Sequence, residues 1–278
     1  MNQITLRGGC HYMRYIVDHD LHIHSQKSFC SNNPAQNPDA HLAYAEANGF
    51  KTLCLTDHMW DSAIPGASDW LAAQNFDHIS SSLPLPQSDK VNFLFGCETD
   101  LTRDLVLGIS PAVMEKMDFF LISTTHMHMT GFAIDGSEDV GERAKLWCQR
   151  LDAVLDMDLP FHKIGLAHLT CKHIFNGHHL EVLDQIPREE YHRLFAKAAE
   201  RGVNIELNFP SLKLTDDTRE IALLPYRIAK EEGCRFYFGS DAHTPADLVQ
   251  AKQNFENIVD LLDLTEDDKA GFLQSLYT

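Results

Sequence analysis

The chain has 278 residues, 44% of them hydrophobic and 23% charged, and this ordinary composition excludes disordered, collagen-like and membrane-embedded classes. Its 23 lysines and arginines stand against 40 aspartates and glutamates, so the formal charge of −17 disfavours duplex nucleic acid as a partner. A small phosphorylated substrate is compatible with this charge, because bound divalent cations reverse the local field. No apolar run approaches the ~18 to 20 residues of a membrane span, and residues 1–14 lack the order of a signal peptide, so we expect a cytoplasmic protein that binds no membrane.

Cysteine and histidine usage narrows the class further. The seven cysteines are odd in number and scattered, and they include no Cys-x-x-Cys pair, so neither a disulfide framework nor a zinc finger is indicated. Reduced thiols fit a cytoplasmic protein. The sixteen histidines are many for this length, so their positions along the chain are informative.

Apolar runs alternate with longer amphipathic stretches along the chain, in seven pairs. The predicted strands span residues 15–23, 51–56, 91–97, 118–123, 162–166, 203–207 and 235–238. The predicted helices span residues 39–48, 69–80, 137–157, 187–200 and 218–232, and Pro111 and Pro245 each open a further helix. Asn37 is the predicted N-cap of the first helix, and Pro225 predicts a break in the helix over 218–232.

Strands that alternate with helices form right-handed βαβ units around a parallel sheet. No composition shift or long linker divides the chain, and its length suits an α/β barrel of ~250 residues. We therefore predict a single barrel domain over residues 1–278.

The end of the first predicted strand carries two histidines. Because side chains alternate along a strand, His22 and His24 point to the same face. Neutral imidazole is a good ligand for zinc, iron or manganese, and Asp20 is a candidate for the carboxylate that orients such a ligand. Alone, this pair is a weak signal.

Other metal-capable residues recur at the ends of the other predicted strands. The full set is His22, His24, His58, Glu98, His126, His168, Asp241 and His243. In a parallel barrel these ends lie on the one face where barrel enzymes have their active sites. Eight donors exceed the need of one ion, since zinc takes about four ligands, so the pattern predicts a polynuclear metal site.

The motifs themselves point to a family. They are Asp20-Leu21-His22-Ile23-His24, Leu55-Thr56-Asp57-His58, Gly96-Cys97-Glu98, the single His126 and His168, and Gly239-Ser240-Asp241-Ala242-His243-Thr244-Pro245. Their order and spacing, from about residue 18 to 260, resemble the PHP (polymerase and histidinol phosphatase) family of metal-dependent phosphoesterases. The resemblance implies a distorted TIM-like (β/α)7 barrel, with two or three divalent metal ions (Zn, Mn or Fe) at the C-terminal ends of the strands.

The resemblance also implies how the donors are shared. One metal would be held by His22, His24, Glu98 and Asp241. Glu98 would bridge to a second metal, held by His126 and His168. A third would be held by His58 and His243. Cys30 stands where the family often has a further donor, and it is either a thiolate ligand or a small buried hydrophobe.

Several assignments stay open in the sequence. His128 is a rival of His126, since two residues further on it would share the same face. Asp57 either orients His58 or binds a metal directly. Glu206 and Asn208 end the sixth predicted strand and either line the pocket or form a solvated rim.

A phosphate ester also needs a cationic group. Lys213 is similar in position to a basic residue that histidinol phosphatases of this family place after their sixth strand, so it is the predicted substrate-binding residue. A solvated surface lysine is the alternative. Arg103 and Arg143 are further candidates from loops of the same face.

These residues predict hydrolysis of a small phosphomonoester by a metal-bridging hydroxide held through Glu98. A histidinol-phosphate phosphatase is the more specific alternative. A proofreading exonuclease ranks below both, because the chain lacks a polymerase module. A non-catalytic metal-binding scaffold would usually have lost ligands. An amidohydrolase-type deaminase or lactonase would usually need a modified lysine in place of Glu98. The sequence leaves the oligomeric state open.

Overall fold

The computed structural model of the protein describes residues 3–5, 11–208 and 218–276. A short antiparallel pair, β1 (Gln3–Thr5) and β2 (His11–Met13), comes first. Seven parallel strands then follow one another around a second sheet in chain order. They are β3 (His19–Ile23), β4 (Thr52–Leu55), β5 (Asn92–Asp100), β6 (Phe119–Ser123), β7 (Ile164–Leu166), β8 (Asn204–Asn208) and β9 (Arg235–Gly239).

The first and last of the seven strands meet at their C-terminal ends. The amide of Asp241 donates to the carbonyl of His22 at 2.8 Å, and the amide of His24 donates to the carbonyl of Ala242 at 3.1 Å. The sheet is therefore a nearly closed barrel, and the predicted α/β TIM-like fold is confirmed. All seven C-terminal strand ends open on one face.

Helices connect the strands on the outside of the barrel. They are α1 (Pro38–Asn48), α2 (Asp69–Ala72), α3 (Phe76–Ser80), α4 (Pro111–Met114), α5 (Val140–Asp156), α6 (His179–Asp184), α7 (Arg188–Arg201), α8 (Arg219–Glu231), α9 (Pro245–Leu248), α10 (Ala251–Leu261) and α11 (Gly271–Ser275). The Asn37 side chain accepts from the amide of Ala40 and so caps α1, which ends at Gly49 in the left-handed region. No helix in the described ranges is long and apolar enough to cross a membrane.

Buried apolar side chains form one large cluster between strands and helices, a smaller one with α11, and a third cluster of four residues around Trp60. The cluster with α11 comprises Leu21, Cys54, Leu94, Phe119, Leu121, Ala167, Tyr237, Ala270 and Leu273. Leu94 and Glu98 share one face of β5, so this apolar layer lies beneath the strand ends that carry the polar donors. The barrel interior is therefore packed below the open face.

Several predicted elements differ from the structure. Regular pairing of the first strand begins at His19, not at residue 15. The predicted helix over 69–80 is two helices, because Asn75 caps a second one at the amide of His78. The long helix begins after Asp139, which forms a capping box with Glu142. Pro225 lies inside an unbroken α8, whose apolar face is buried against the core.

Candidate metal centre

The open face of the barrel gathers all eight donors predicted from the strand ends. Their side chains form three groups, and within each group the potential ligand atoms lie within 4.8 Å of one another. The groups are His22, His24, Glu98 and Asp241; Glu98, His126 and His168; and His24, Cys30, His58 and His243. His24 and Glu98 each belong to two groups, so the three potential sites adjoin.

The first group has the spacing of a tetrahedral metal site. His22 Nε2 lies 3.0 Å from His24 Nε2, and the two nitrogens lie 3.3 and 3.1 Å from Asp241 Oδ1. Both nitrogens also lie 3.4 Å from Glu98 Oε2. Zinc ligands at ~2.0–2.1 Å from the ion are separated by about 3.3 Å in a tetrahedron, so these residues fit a metal ion.

Glu98 stands between two sets of imidazoles, and each of its oxygens faces a different set. Oε2 lies 3.2 Å from His58 Nδ1 and faces the first group. Oε1 lies 2.8 Å from His168 Nε2 and 3.7 Å from His126 Nε2. The carboxylate is 1% exposed. This is the arrangement of a carboxylate that can contact two ions at once.

The third group lies toward the rim. The rings of His24 and His243 stack at 4.3 Å between centroids. His58 Nδ1 is buried and, although it lies 3.2 Å from Glu98 Oε2, it makes no hydrogen bond of suitable geometry with any described residue. A buried nitrogen that lacks a hydrogen bond is costly unless a ligand or ion satisfies it. Cys30 is exposed and has no disulfide partner. The thiol is therefore placed where it could complete this group.

Hydrogen bonds to Nδ1 fix the orientation of three imidazoles. His22 Nδ1 lies 2.6 Å from Glu206 Oε1, and His126 Nδ1 lies 2.7 Å from Asp100 Oδ1. His24 Nδ1 lies 2.9 Å from the hydroxyl of Ser28. In each case Nε2 is left to face the centre, which is how histidine ligands are commonly held.

Two carboxylates orient different groups from those predicted. Asp20 accepts from the amide of Ser240 and the hydroxyl of Tyr44, so it braces the backbone of the site rather than an imidazole. Asp57 accepts from the amide of Ser25 and from the hydroxyl of Ser28, and among the described residues it makes no hydrogen bond to the ring of His58. Its orienting effect therefore passes through Ser28 to the ring of His24 and to the backbone amide of His58, not to the ring of His58.

Sequence reasoning missed Asp100 and left Glu206 undecided. Asp100 was missed because β5 continues to residue 100, three residues past the predicted end, which puts Asp100 on the same face as Glu98. The alternation Glu-x-Asp was the available signal. Glu206 is fully buried and also accepts from the amide of His168 at 2.6 Å, so it is part of the site and not a solvated rim.

Burial and mutual charge set the protonation of the cluster. Burial lowers the pKa of His58 to about 3 and that of His126 to about 3, so both imidazoles are neutral at pH 7, the form that binds metal. Burial alone would raise the pKa of Glu98, but the imidazoles of His58 and His22 hold it well below its usual range. Burial alone would lower the pKa values of His22, His24 and His168, but the carboxylates of Glu206 and Asp241 raise the first two, and Cys171 and Glu98 raise that of His168. Metal binding at these three imidazoles therefore displaces protons.

The remaining candidates from the sequence are the rival histidine, His128, and three basic residues considered for binding phosphate. His128 is exposed, and its ring lies 4.2 Å from that of His173, outside the three groups. Arg143 donates to the carbonyls of Met127 and Ile174, and Arg103 pairs with Asp135, so neither guanidinium faces the cluster as a free phosphate ligand. Lys213 lies outside the described residues.

A parallel barrel whose open face gathers histidines, a bridging carboxylate and an aspartate in three adjoining groups belongs to the class of α/β barrels able to hold several metal ions. The sequence matches the model of the PHP domain over residues 20–275, and the chain belongs to that family. A search of curated protein sequences gives no match.

A solved structure with a similar fold is the histidinol phosphate phosphatase of Lactococcus lactis subsp. lactis Il1403, in complex with zinc, L-histidinol and phosphate. It is 16% identical in sequence, the alignment covers 91% of this chain and 98% of that chain, and the TM-score is 0.56. At this identity the likeness shows a shared fold.

Proposed function

We propose that this protein is a metal-dependent phosphoesterase that hydrolyses a small phosphomonoester. The observation that carries the proposal is the position of Glu98, whose two oxygens face two different sets of imidazoles. Membership of the PHP family and the fold shared with a zinc-containing phosphatase support it.

The proposed ligand assignment follows the three groups of side chains. His22, His24 and Asp241 hold one ion, and His126 and His168 hold another, with Glu98 shared by both. His58 and His243 hold a third ion, with Cys30 as a further donor. The donor set of imidazoles and carboxylates suits zinc, manganese or iron.

The chain's own residues prepare the site for this chemistry. When bound, a pair of divalent cations lowers the pKa of a water molecule between them and stabilises charge during in-line displacement at phosphorus. Glu206 and Asp100 keep His22 and His126 oriented through their Nδ1 atoms. The packed apolar layer beneath Glu98 keeps bulk water from the inner side of the site.

A cation for the phosphate comes from one of two lysines. Lys213 keeps the role that its position in the sequence suggests. Lys172 is the second candidate, because it lines a cavity beside Asp241 and makes no ion pair with any described residue. Replacing the correct lysine by alanine raises the Michaelis constant for the phosphoester. Replacing the other leaves it unchanged.

Histidinol phosphate is the more specific candidate substrate. The observation in its favour is the fold shared with a histidinol phosphate phosphatase. Phosphate release from histidinol phosphate is measured beside a panel of other phosphomonoesters. A kcat/KM for histidinol phosphate at least tenfold higher than for the other esters would support it as the substrate, and a smaller difference would contradict it.

The test of the general proposal is metal counting coupled to activity. The purified protein is analysed for transition metals before and after chelation, and phosphate release is assayed at each stage and after zinc, manganese or iron(II) is added back. Two to three metals per chain, with activity lost on chelation and regained on addition, support the proposal. Ammonia release without phosphate release would favour a deaminase, and no metal binding would favour a non-catalytic barrel.

A further inference from the structure

A cavity of about 600 Å³ opens beside the candidate metal centre, between residues 171–173 and the segment that forms α9 and α10. Asp241 and His243 form part of its wall, so a group bound in the cavity would lie next to the proposed ligands. Ligand pockets have volumes of ~300–1,000 Å³, and this one has room for more than a phosphate group.

Two carboxamides line the cavity from one face of α10 and its N-cap. Gln250 and Asn254 are four residues apart, and the amide of Asn254 donates to the carbonyl of Gln250. In the part of the chain that the structure describes, neither carboxamide makes a hydrogen bond, and Gln250 does not use its side chain to cap α10. By contrast, Gln253 donates to Asn257 at 3.1 Å, away from the cavity.

Three residues with aromatic rings line the cavity, namely His173, His243 and Phe255. Phe255 contributes to the wall, but its ring is fully buried and stacks on Phe238 at 4.8 Å between centroids. The exposed indole of Trp70 contacts His58 and does not line this cavity. The ring of His173 lies 4.2 Å from that of His128. Nine of the thirteen described lining residues have polar side chains, so we expect recognition in the cavity to depend mainly on hydrogen bonds.

We propose that this cavity binds the alcohol part of the phosphomonoester, and that the alcohol is a small polar one whose hydroxyl or amino groups hydrogen-bond to Gln250 and Asn254. A carboxamide offers two donors and one acceptor oxygen, so a pair of them suits a substrate with several polar groups. The inference rests on the proposed phosphoesterase activity and names the substrate class of that site.

Two alkyl phosphates of different polarity test the proposal on the metal-loaded protein. sn-Glycerol 3-phosphate has hydroxyl groups for the carboxamides, whereas 2-phenylethyl phosphate has none, and both have alkyl leaving groups. We expect kcat/KM to be at least about tenfold higher for the glycerol ester. Gln250→Ala and Asn254→Ala should each lower that value about 5- to 10-fold and leave the phenylethyl ester within about twofold. Gln253→Ala is the matched control and should change neither.

Three results would overturn the proposal. The first is an equal loss for both esters, or no loss for either, in the Gln250→Ala and Asn254→Ala variants. The second is a preference for 2-phenylethyl phosphate that Trp70→Ala removes, because the indole would then bind the alcohol. The third is that the metal-loaded protein releases no phosphate from either ester or from any other phosphomonoester. This result would refute the phosphoesterase activity and this inference with it.

Discussion

Glu98 is the residue on which the proposed chemistry depends. Its carboxylate is buried among imidazoles and does not contact solvent appreciably. One oxygen faces His58 and the other faces His168, and both imidazoles are candidate metal ligands. The sequence could predict this residue and the seven other donors because each ends a strand. The sequence could not predict which side chains orient these donors, because the contact between Glu206 and His22 joins residues 184 positions apart.

Glu98→Gln tests the bridging role. Glutamine keeps the shape of the side chain but removes its charge and one acceptor oxygen, so we expect turnover to fall at least about a thousandfold and the bound metal to decrease. Elemental analysis and phosphate release measure both effects. Glu200→Gln, at an exposed position of α7, is the control. A Glu98→Gln variant with near-normal rate and metal content would refute the bridge.

Glu206→Gln tests the orientation of His22. The side-chain oxygen of glutamine can still accept from the backbone N–H of His168. The negative charge beside His22 Nδ1 is lost, however. Loss of such a partner typically lowers metal affinity 10- to 100-fold, and we expect a change in that range. Competitive titration with a chromophoric chelator measures it, and an unchanged dissociation constant would show that Glu206 serves the fold alone.

Individual elements were predictable where local chemistry decides them. Asn37 and Gly49 mark the ends of α1 in both sequence and structure. The split between α2 and α3 was not predictable from periodicity, because a short amphipathic run fits either one helix or two until the Asn75 cap is known. The extension of β5 depends on pairing with β6, which no local pattern encodes.

The residue before β3 anchors that strand at the end of the barrel opposite the metal centre. Asp18 accepts from Lys269 Nζ at 3.2 Å and lies 3.1 Å from His19 Nδ1. Burial alone would raise the pKa of Asp18, but His19 and Lys269 lower it to about 2 from 3.8. The charged form is therefore stabilised in the folded state.

Asp18→Asn should accordingly destabilise the protein in a pH-dependent way. Because the folded pKa lies below the unfolded one, the stabilisation is complete above pH 3.8 and is lost as the pH falls through about 2. We expect the variant to lose about 1–2 kcal/mol of unfolding free energy at pH 7 and about half of that at pH 3. Urea unfolding at both pH values measures this, with exposed Asp104→Asn as control. A pH-independent difference would contradict the ion-pair explanation.

The whole molecule combines a strongly acidic chain with a cluster of donors on one face. Seven βα units and a parallel barrel were predictable, because the alternation of strand and helix extends along the whole chain. The cavity beside α10 was not, because it depends on how the loops after β7 and β9 lie relative to each other.

Metal binding should stabilise the whole barrel. Ions that bind the folded state at six strand ends stabilise it by mass action, by about 2.7 kcal/mol at a metal concentration 100 times the dissociation constant. We expect the Tm of the chelated protein to rise with added zinc or manganese in a concentration-dependent way. Differential scanning calorimetry measures it, and the Glu98→Gln variant should respond less. A Tm that is insensitive to metal would contradict a site built from the folded barrel.

The most direct test of the Glu98 bridge is anomalous X-ray diffraction from crystals of the metal-loaded protein, collected on both sides of the absorption edge of the bound metal. We predict two anomalous peaks on opposite sides of the Glu98 carboxylate, one contacting His22, His24 and Asp241 and the other contacting His126 and His168. A single peak, or peaks that do not contact Glu98, would contradict the proposed centre.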